Sequence, residues 1–291
     1  MAKQENDGQL LTFGGHLEVL RRMIFRIVVV TGVLAVLIFC FKKETFTILL
    51  APTDSSFITF DLIQRWITSL GFDFRFEQYH ISLISTELSS QFMTHISVSC
   101  LLAFLLASPY IVFELFRFIT PALYEREKKY SVLVAFIIYI LFIIGLMMSY
   151  FVIFPISFRF LANYQVDESV VNTITLSSYI STFTTLTFIM GVVFQLPIFT
   201  FILGKMGLID YQLLRRYRSY AFIIILIVSA IITPPDIFTL ILVALPLYAL
   251  YEVSILVLKK WGPEPDDESD IEARNEISES HSDEATDEVG E

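Results

Sequence analysis

The residues whose types and spacing could do chemistry here are suited to recognition, not to making or breaking bonds. The segment Phe118-Ile119-Thr120-Pro121-Ala122-Leu123-Tyr124-Glu125-Arg126-Glu127-Lys128-Lys129 sets aromatic side chains and acids among bases. A carboxylate in such a segment can receive an arginine-bearing ligand, because guanidinium meets carboxylate through two parallel hydrogen bonds. The same segment also reads as a solvated loop that merely carries positive charge. Gln195, two residues before Pro197, is the deepest strongly polar side chain in a long apolar run. It predicts either a hydrogen bond between helices of the chain, worth roughly 1 kcal/mol, or a docking point for a separate single-span partner. Pro197 predicts a kink.

No catalytic set is present. The four histidines are His16, His80, His95 and His281, and none stands in an HExxH pattern. GxSxG, GxxxxGK[ST] and GxGxxG are absent. Asp236 is the one aspartate bordering an apolar run, so a membrane-buried aspartate pair is missing, and His95 is expected to hydrogen-bond a neighbouring helix. Cys40 and Cys100 lie in apolar stretches without CxxC spacing, which leaves no metal site and no cofactor to expect. Arg21-Arg22 precedes an apolar helix as in an export signal. A cleaved signal would end in small residues, whereas this run continues into Cys40-Phe41-Lys42. The two arginines therefore anchor a helix start, with Glu18 placed to pair three and four residues on. Arg26 is expected to snorkel towards lipid headgroups.

The elements that carry these residues are membrane spans. Hydrophobic residues make up 55% of the chain, charged residues 17%, and mean hydropathy is +0.67, against about a quarter charged in ordinary soluble proteins. The net charge of -10 is localised: 13 of the 30 acids fall in residues 262–291 beside a single base, Arg274, so the body is close to neutral. Nothing in that pattern invites nucleic acid. About 20 apolar residues cross the bilayer, and such runs occur at 27–41, 88–113, 131–154 and from about 176 to 204. Tyr220–Ile232 is apolar over 13 residues, about 20 Å of helix. Thr233-Pro234-Pro235-Asp236 then forces a turn before Ile237–Leu258. By themselves, these two segments could be a re-entrant hairpin or two spans at a thinned bilayer.

Of 20 Lys and Arg, 15 fall in the N-terminus, the 117–129 loop, the 205–218 loop and the C-terminus. The positive-inside rule then places both ends in the cytoplasm. Residues 42–87 should fold as short helices capping the outer surface, residues 1–261 form the membrane domain, and the acidic tail 262–291 should be disordered. The spans lack midplane charge, and no internal repeat is evident, which argues against a self-contained small-solute transporter.

Several segments in order resemble the TatC family, the multi-spanning subunit of the twin-arginine protein translocase. They are His16-Leu17-Glu18-Val19-Leu20-Arg21, Ser108-Pro109, Phe118 to Glu127 and Tyr150-Phe151-Val152-Ile153-Phe154-Pro155. Phe194-Gln195-Leu196-Pro197, Thr233-Pro234-Pro235-Asp236, Leu245-Pro246 and Tyr251-Glu252 complete the set. The resemblance implies an all-α, polytopic, glove-like concave bundle of six transmembrane helices, the last two short, in the bacterial inner membrane. It implies two true spans around Pro234-Pro235. It also implies a non-enzymatic receptor and core that exports folded proteins on the proton-motive force. The partners would be TatA/TatB-type single-span proteins, twin-arginine signal peptides and further copies of the receptor. By position, Glu127 matches the family's arginine-binding glutamate, Phe118 and Pro121 share its motif, Pro52 matches an outer-loop proline and Asp236 an outer-turn aspartate. Glu18 and Arg21 lie in the family's HLxELR motif, but the acid stands one place early, about 100° around the helix. That makes Glu127 the main ligand. Gln195 stands where many relatives carry Glu.

Overall fold

The computed structural model describes residues 13–54, 56–69, 71, 81–119, 131–165, 167, 169 and 172–261 of the 291-residue chain. The described residues are helical, apart from loops and one bridge between Ile84 and Thr175. Helix α1 (Phe13–Cys40) leads into two short helices, α2 (Lys42–Leu50) and α3 (Ile58–Ser69). Helix α4 (Ser90–Ile119) returns across the bundle. Helices α5 (Ser131–Met148) and α6 (Phe154–Asn163) are joined by a π-helical turn, Ser149–Ile153, into one continuous rod. Helices α7 (Leu176–Val193) and α8 (Leu196–Lys205) follow as a bent pair, then α9 (Tyr211–Arg216), α10 (Arg218–Ile232) and α11 (Ile237–Trp261).

Among the described residues, five stretches are long and apolar enough to cross a membrane: Leu17–Cys40, Ser90–Leu115, Leu133–Asn163, Leu176–Lys205 and Ile237–Trp261. The shorter apolar helix Arg218–Ile232 is the remaining candidate. Its 15 residues give about 22 Å at 1.5 Å per residue, short of the roughly 30 Å hydrocarbon core. The expectation of two short final helices is corrected in its second half. Helix α11 runs for 25 residues, through Pro246 and on into Lys259, Lys260 and Trp261.

Prolines shape the rods by what they leave unpaired. Pro155 has no N–H to give the carbonyl four residues back, which is Phe151. That carbonyl accepts the Thr59 hydroxyl of α3 instead, so the defect in the rod becomes the seat of the α2–α3 segment. Two tyrosines fasten the same segment. Tyr150 donates to the Ile48 carbonyl at 2.6 Å and Tyr179 to the Leu49 carbonyl at 2.8 Å. Pro52 follows in a buried 3-10 turn, Ala51–Thr53, and the Arg159 guanidinium of α6 lies 4.8 Å over the Phe60 ring of α3.

The core is aromatic at this end and small-residue in the middle. Phe154 meets Tyr179 and Phe183 edge-on, each at 5.0 Å between centroids. Between spans, lipid is as apolar as leucine, so close backbone approach replaces the hydrophobic effect. Gly145 of α5 makes such an approach: a Cβ there would sit 2.6 Å from the Met190 carbonyl oxygen of α7. Gly204 does the same for α8 against Leu258 of α11. Gly207, at φ +72°, closes α8 with a Leu208 N–H bond to the Leu203 carbonyl at 3.1 Å.

Candidate functional site

The charged groups concentrate at the end of the bundle that carries Phe13, Phe118 and Trp261. Along α1, Glu18, Arg22 and Arg26 recur every four residues and so form one stripe. Arg22 Nη2 donates to Glu18 Oε1 at 2.6 Å, with both side chains well exposed. Of the two arginines expected to pair with Glu18, the structure brings in Arg22. Arg26, its side chain 46% exposed, also finds a partner within the bundle. Its Nη1 donates to both carboxylate oxygens of Glu114 on α4, at 3.3 and 3.4 Å. Tyr110 adds a hydroxyl donor at 3.1 Å, and the Arg117 guanidinium lies 3.9 Å away. The Glu114 side chain is only 5% exposed. Two hydrogen-bond donors and a second cation therefore converge on one buried carboxylate, which keeps its charge compensated away from water.

A second cluster of the same composition joins α10 to α11. Arg218 Nη2 donates to Glu252 Oε2 at 2.6 Å, and Tyr248, one turn earlier, donates to Oε1 at 3.0 Å. Tyr251 reaches back to the Leu214 carbonyl of α9 at 2.7 Å. In both clusters a Tyr-x-x-x-Glu stripe on one helix takes an arginine from another. Neither pairing was anticipated from the sequence. A usable signal was present: an arginine just inside one apolar run and an acid just inside the end of an antiparallel neighbour.

The expected site residues separate into two groups. Glu18, Arg21 and Phe118 fall at this charged end, whereas Pro121 and Glu127 lie outside the described residues. Glu18, Arg21, Arg22, Phe25 and Arg26 line an open depression of about 480 Å³ on α1. Gln195 and Pro197 sit at the α7–α8 break, where Gln195 N–H bonds the Val192 carbonyl at 3.0 Å. The Gln195 side-chain amide donates to Gly191 of its own helix at 3.4 Å, and its carbonyl oxygen is buried without a partner among the described groups. Among the described residues, its side chain makes no bond to another span of the chain. Asp236 at the opposite end caps α11, accepting the Thr239 N–H at 2.6 Å, while its other oxygen has no described partner.

His95 faces a neighbouring helix, stacking on Phe39 of α1 at 4.0 Å, while its Nε2 is buried with no hydrogen-bond partner among the described groups. Cys40 and Cys100 are free and exposed. Among the described residues no three His, Cys, Asp or Glu side chains gather to hold a metal.

A helical membrane rod-set with small-residue seams, a proline-braced cap and arginine–carboxylate clusters at one end defines a polytopic helical membrane protein. Residues 15–246 match the family described as "Sec-independent protein translocase protein (TatC)". A TatC protein of Desulforapulum autotrophicum is 31% identical over 95% of this chain and 94% of its own length. One from Helicobacter pylori is 40% identical over 67% of this chain and 77% of its own. Two solved structures titled as twin arginine translocase receptor TatC superpose with TM-scores of 0.65 and 0.67. They are 29% and 28% identical, and each comparison covers 84% of this chain and at least 98% of the other. This chain belongs to the TatC family, and it is a multi-pass inner-membrane component of the Sec-independent translocase with a transport role, not an enzymatic one.

Proposed function

We propose that this chain is the receptor and core subunit of a twin-arginine translocase. It binds twin-arginine signal peptides and exports folded proteins across the inner membrane on the proton-motive force, with TatA/TatB-type single-span partners. The observation that carries this reading is the likeness to structures titled as twin arginine translocase receptors, over 84% of this chain. The charge distribution supports it, since 15 of 20 basic residues fall in segments assigned to the cytoplasm, together with both termini.

Glu127 is the main arginine ligand, aided by Phe118, Pro121 and Arg21. The Glu18 carboxylate is engaged by Arg22, which supports the secondary role given to it. Gln195 and Pro197 receive a partner helix: a half-buried amide with an unpartnered oxygen at a helix break supports that role. Pro52 and Asp236 shape the outer surface. Receptor copies associate with one another, residues 42–87 cap the outside, and the acidic tail 262–291 is a disordered cytoplasmic extension.

The test is photocrosslinking of a twin-arginine signal peptide to the full chain in membranes. Glu127→Ala is expected to abolish the crosslink while the protein still inserts. An undiminished crosslink would remove Glu127 from the site.

A further inference from the structure

Helix α1 is held to the rest of the molecule chiefly by α4, and its apolar side chains face outward along most of its length, with Phe25 at 69% and Val36 at 66% exposed. In a bilayer those side chains are equally content against lipid or protein, so apolar burial does not define how α1 is rotated or how far it slides along α4. Specific contacts must do so, and two stand out. At one end Phe39 stacks on His95 at 4.0 Å. At the other, Arg26 holds Glu114 through both oxygens, with Tyr110 and Arg117 around the same carboxylate.

The second contact is set where recognition is proposed. Tyr110, Glu114 and Phe118 are spaced four apart and share one stripe of α4. The two helices run antiparallel, since Arg26 meets Glu114 towards one end and Phe39 meets His95 towards the other. Arg22 and Glu18 follow Arg26 one and two turns further towards the charged end, where Phe118 follows Glu114 by one turn. A slip of one residue would turn that stripe by about 100°.

We propose that the Arg26–Glu114 pair is the positioning contact that fixes the rotation and register of α1 on α4. It thereby sets how Glu18, Arg21 and Arg22 are presented, at the end of the bundle that also carries Phe118, to receive an arginine-bearing peptide. The claim rests on the receptor reading above for its purpose, but its geometry stands apart from it. Neither residue needs to touch the peptide. Arg26 meets both carboxylate oxygens through one nitrogen, Nη1, so it contributes a charge-assisted contact that ties one height of α1 to one height of α4.

The experiment uses the full chain in lipid vesicles, with Cys40 and Cys100 replaced by alanine and spin labels at Val19→Cys and Leu115→Cys. Both labelled positions are exposed. Distance distributions are measured for the parent, Glu114→Gln, Arg26→Gln and the exchanged pair Arg26→Glu with Glu114→Arg. Binding of a synthetic twin-arginine signal peptide is measured on the same samples, and a twin-lysine version supplies the background. Glu114→Gln is nearly isosteric, so it keeps the fold intact; its unfolding midpoint is recorded alongside. Each single change is expected to broaden the distribution and lower twin-arginine affinity about tenfold, the loss of one charged hydrogen-bonded contact. The twin-lysine background should not move, and the exchanged pair should restore both readouts. An unchanged distribution in Glu114→Gln overturns the proposal, as does a broadened distribution with unchanged affinity. A rise in affinity in Arg26→Gln also overturns it, since Arg26 would then be occupying the ligand's place. Should the parent fail to bind the peptide at all, the receptor reading falls, while the distance distributions still decide whether the pair sets the register.

Discussion

Adding one methyl group at Gly145 tests the packing of this membrane fold, because the structure assigns it a size and a sign. A Cβ at 145 would meet the Met190 carbonyl oxygen at 2.6 Å and the Phe194 Cβ and Cγ at 3.0 Å. Ordinary contact begins at 3.4 Å, so α5 and α7 must part by about 0.8 Å. The obstructing atom is backbone and cannot rotate aside. Overpacking of this kind costs about 1–3 kcal/mol, and replacing a helical glycine by alanine returns at most about 1 kcal/mol. Gly145→Ala should therefore lose up to about 2 kcal/mol once the full return is subtracted. Gly32 in α1 has nothing within 4 Å of the added carbon, so Gly32→Ala should be neutral or slightly stabilising. Gly191→Ala and Gly204→Ala should fall between them, since they meet the Phe142 ring and the Leu258 methyl, side chains that can yield. Reversible unfolding of the purified protein in mixed micelles measures all four. The reasoning is refuted if Gly145→Ala is as stable as Gly32→Ala.

Three further changes probe the cap, the turn and the helix break. Tyr179→Phe strands the Leu49 carbonyl in a buried site and should cost about 1–3 kcal/mol, seen as faster proteolysis of 42–54; unchanged cleavage would detach the tyrosine from the cap. Asp236→Ala removes the acceptor for the Thr239 N–H and should cost about 1 kcal/mol, with faster amide exchange at Thr239. Asp236→Asn should keep the cap, and equal damage from both would assign Asp236 a role that needs its charge. Gln195→Leu should leave folding nearly unaltered, because its side chain makes only a local 3.4 Å bond. It should reduce copurification of a single-span partner; normal yield with normal transport would return Gln195 to a purely internal role.

The proline breaks were legible because they are local. Thr233 precedes Pro234, adopts an extended backbone and ends α10 with its N–H on the Ser229 carbonyl at 2.9 Å, as the restriction on residues before proline requires. The break at Gln195 and the short length of α10 follow in the same way from residues next to one another. The length of α11 was less legible, since hydropathy falls at Lys259 and Lys260 while the helix continues to Trp261. Charge ends an apolar run but does not end a helix.

The candidate site was legible in its residue types and not in its pairings. Glu18 with Arg22 could be read from spacing, because helical neighbours are four apart. Arg26 with Glu114 could not: 88 residues separate them, and Arg26 taken alone reads as a snorkelling side chain. By itself the sequence determined the apolar rods, their breaks and the family, since each depends on local composition or on an ordered set of motifs. Only the tertiary structure decided that Phe151 lends its carbonyl to Thr59, that Gln195 bonds its own helix, and that Glu114 gathers an arginine from α1. The reason is physical. A polar group inside a membrane protein must find a partner, but which partner it finds depends on which helices become neighbours and at what register.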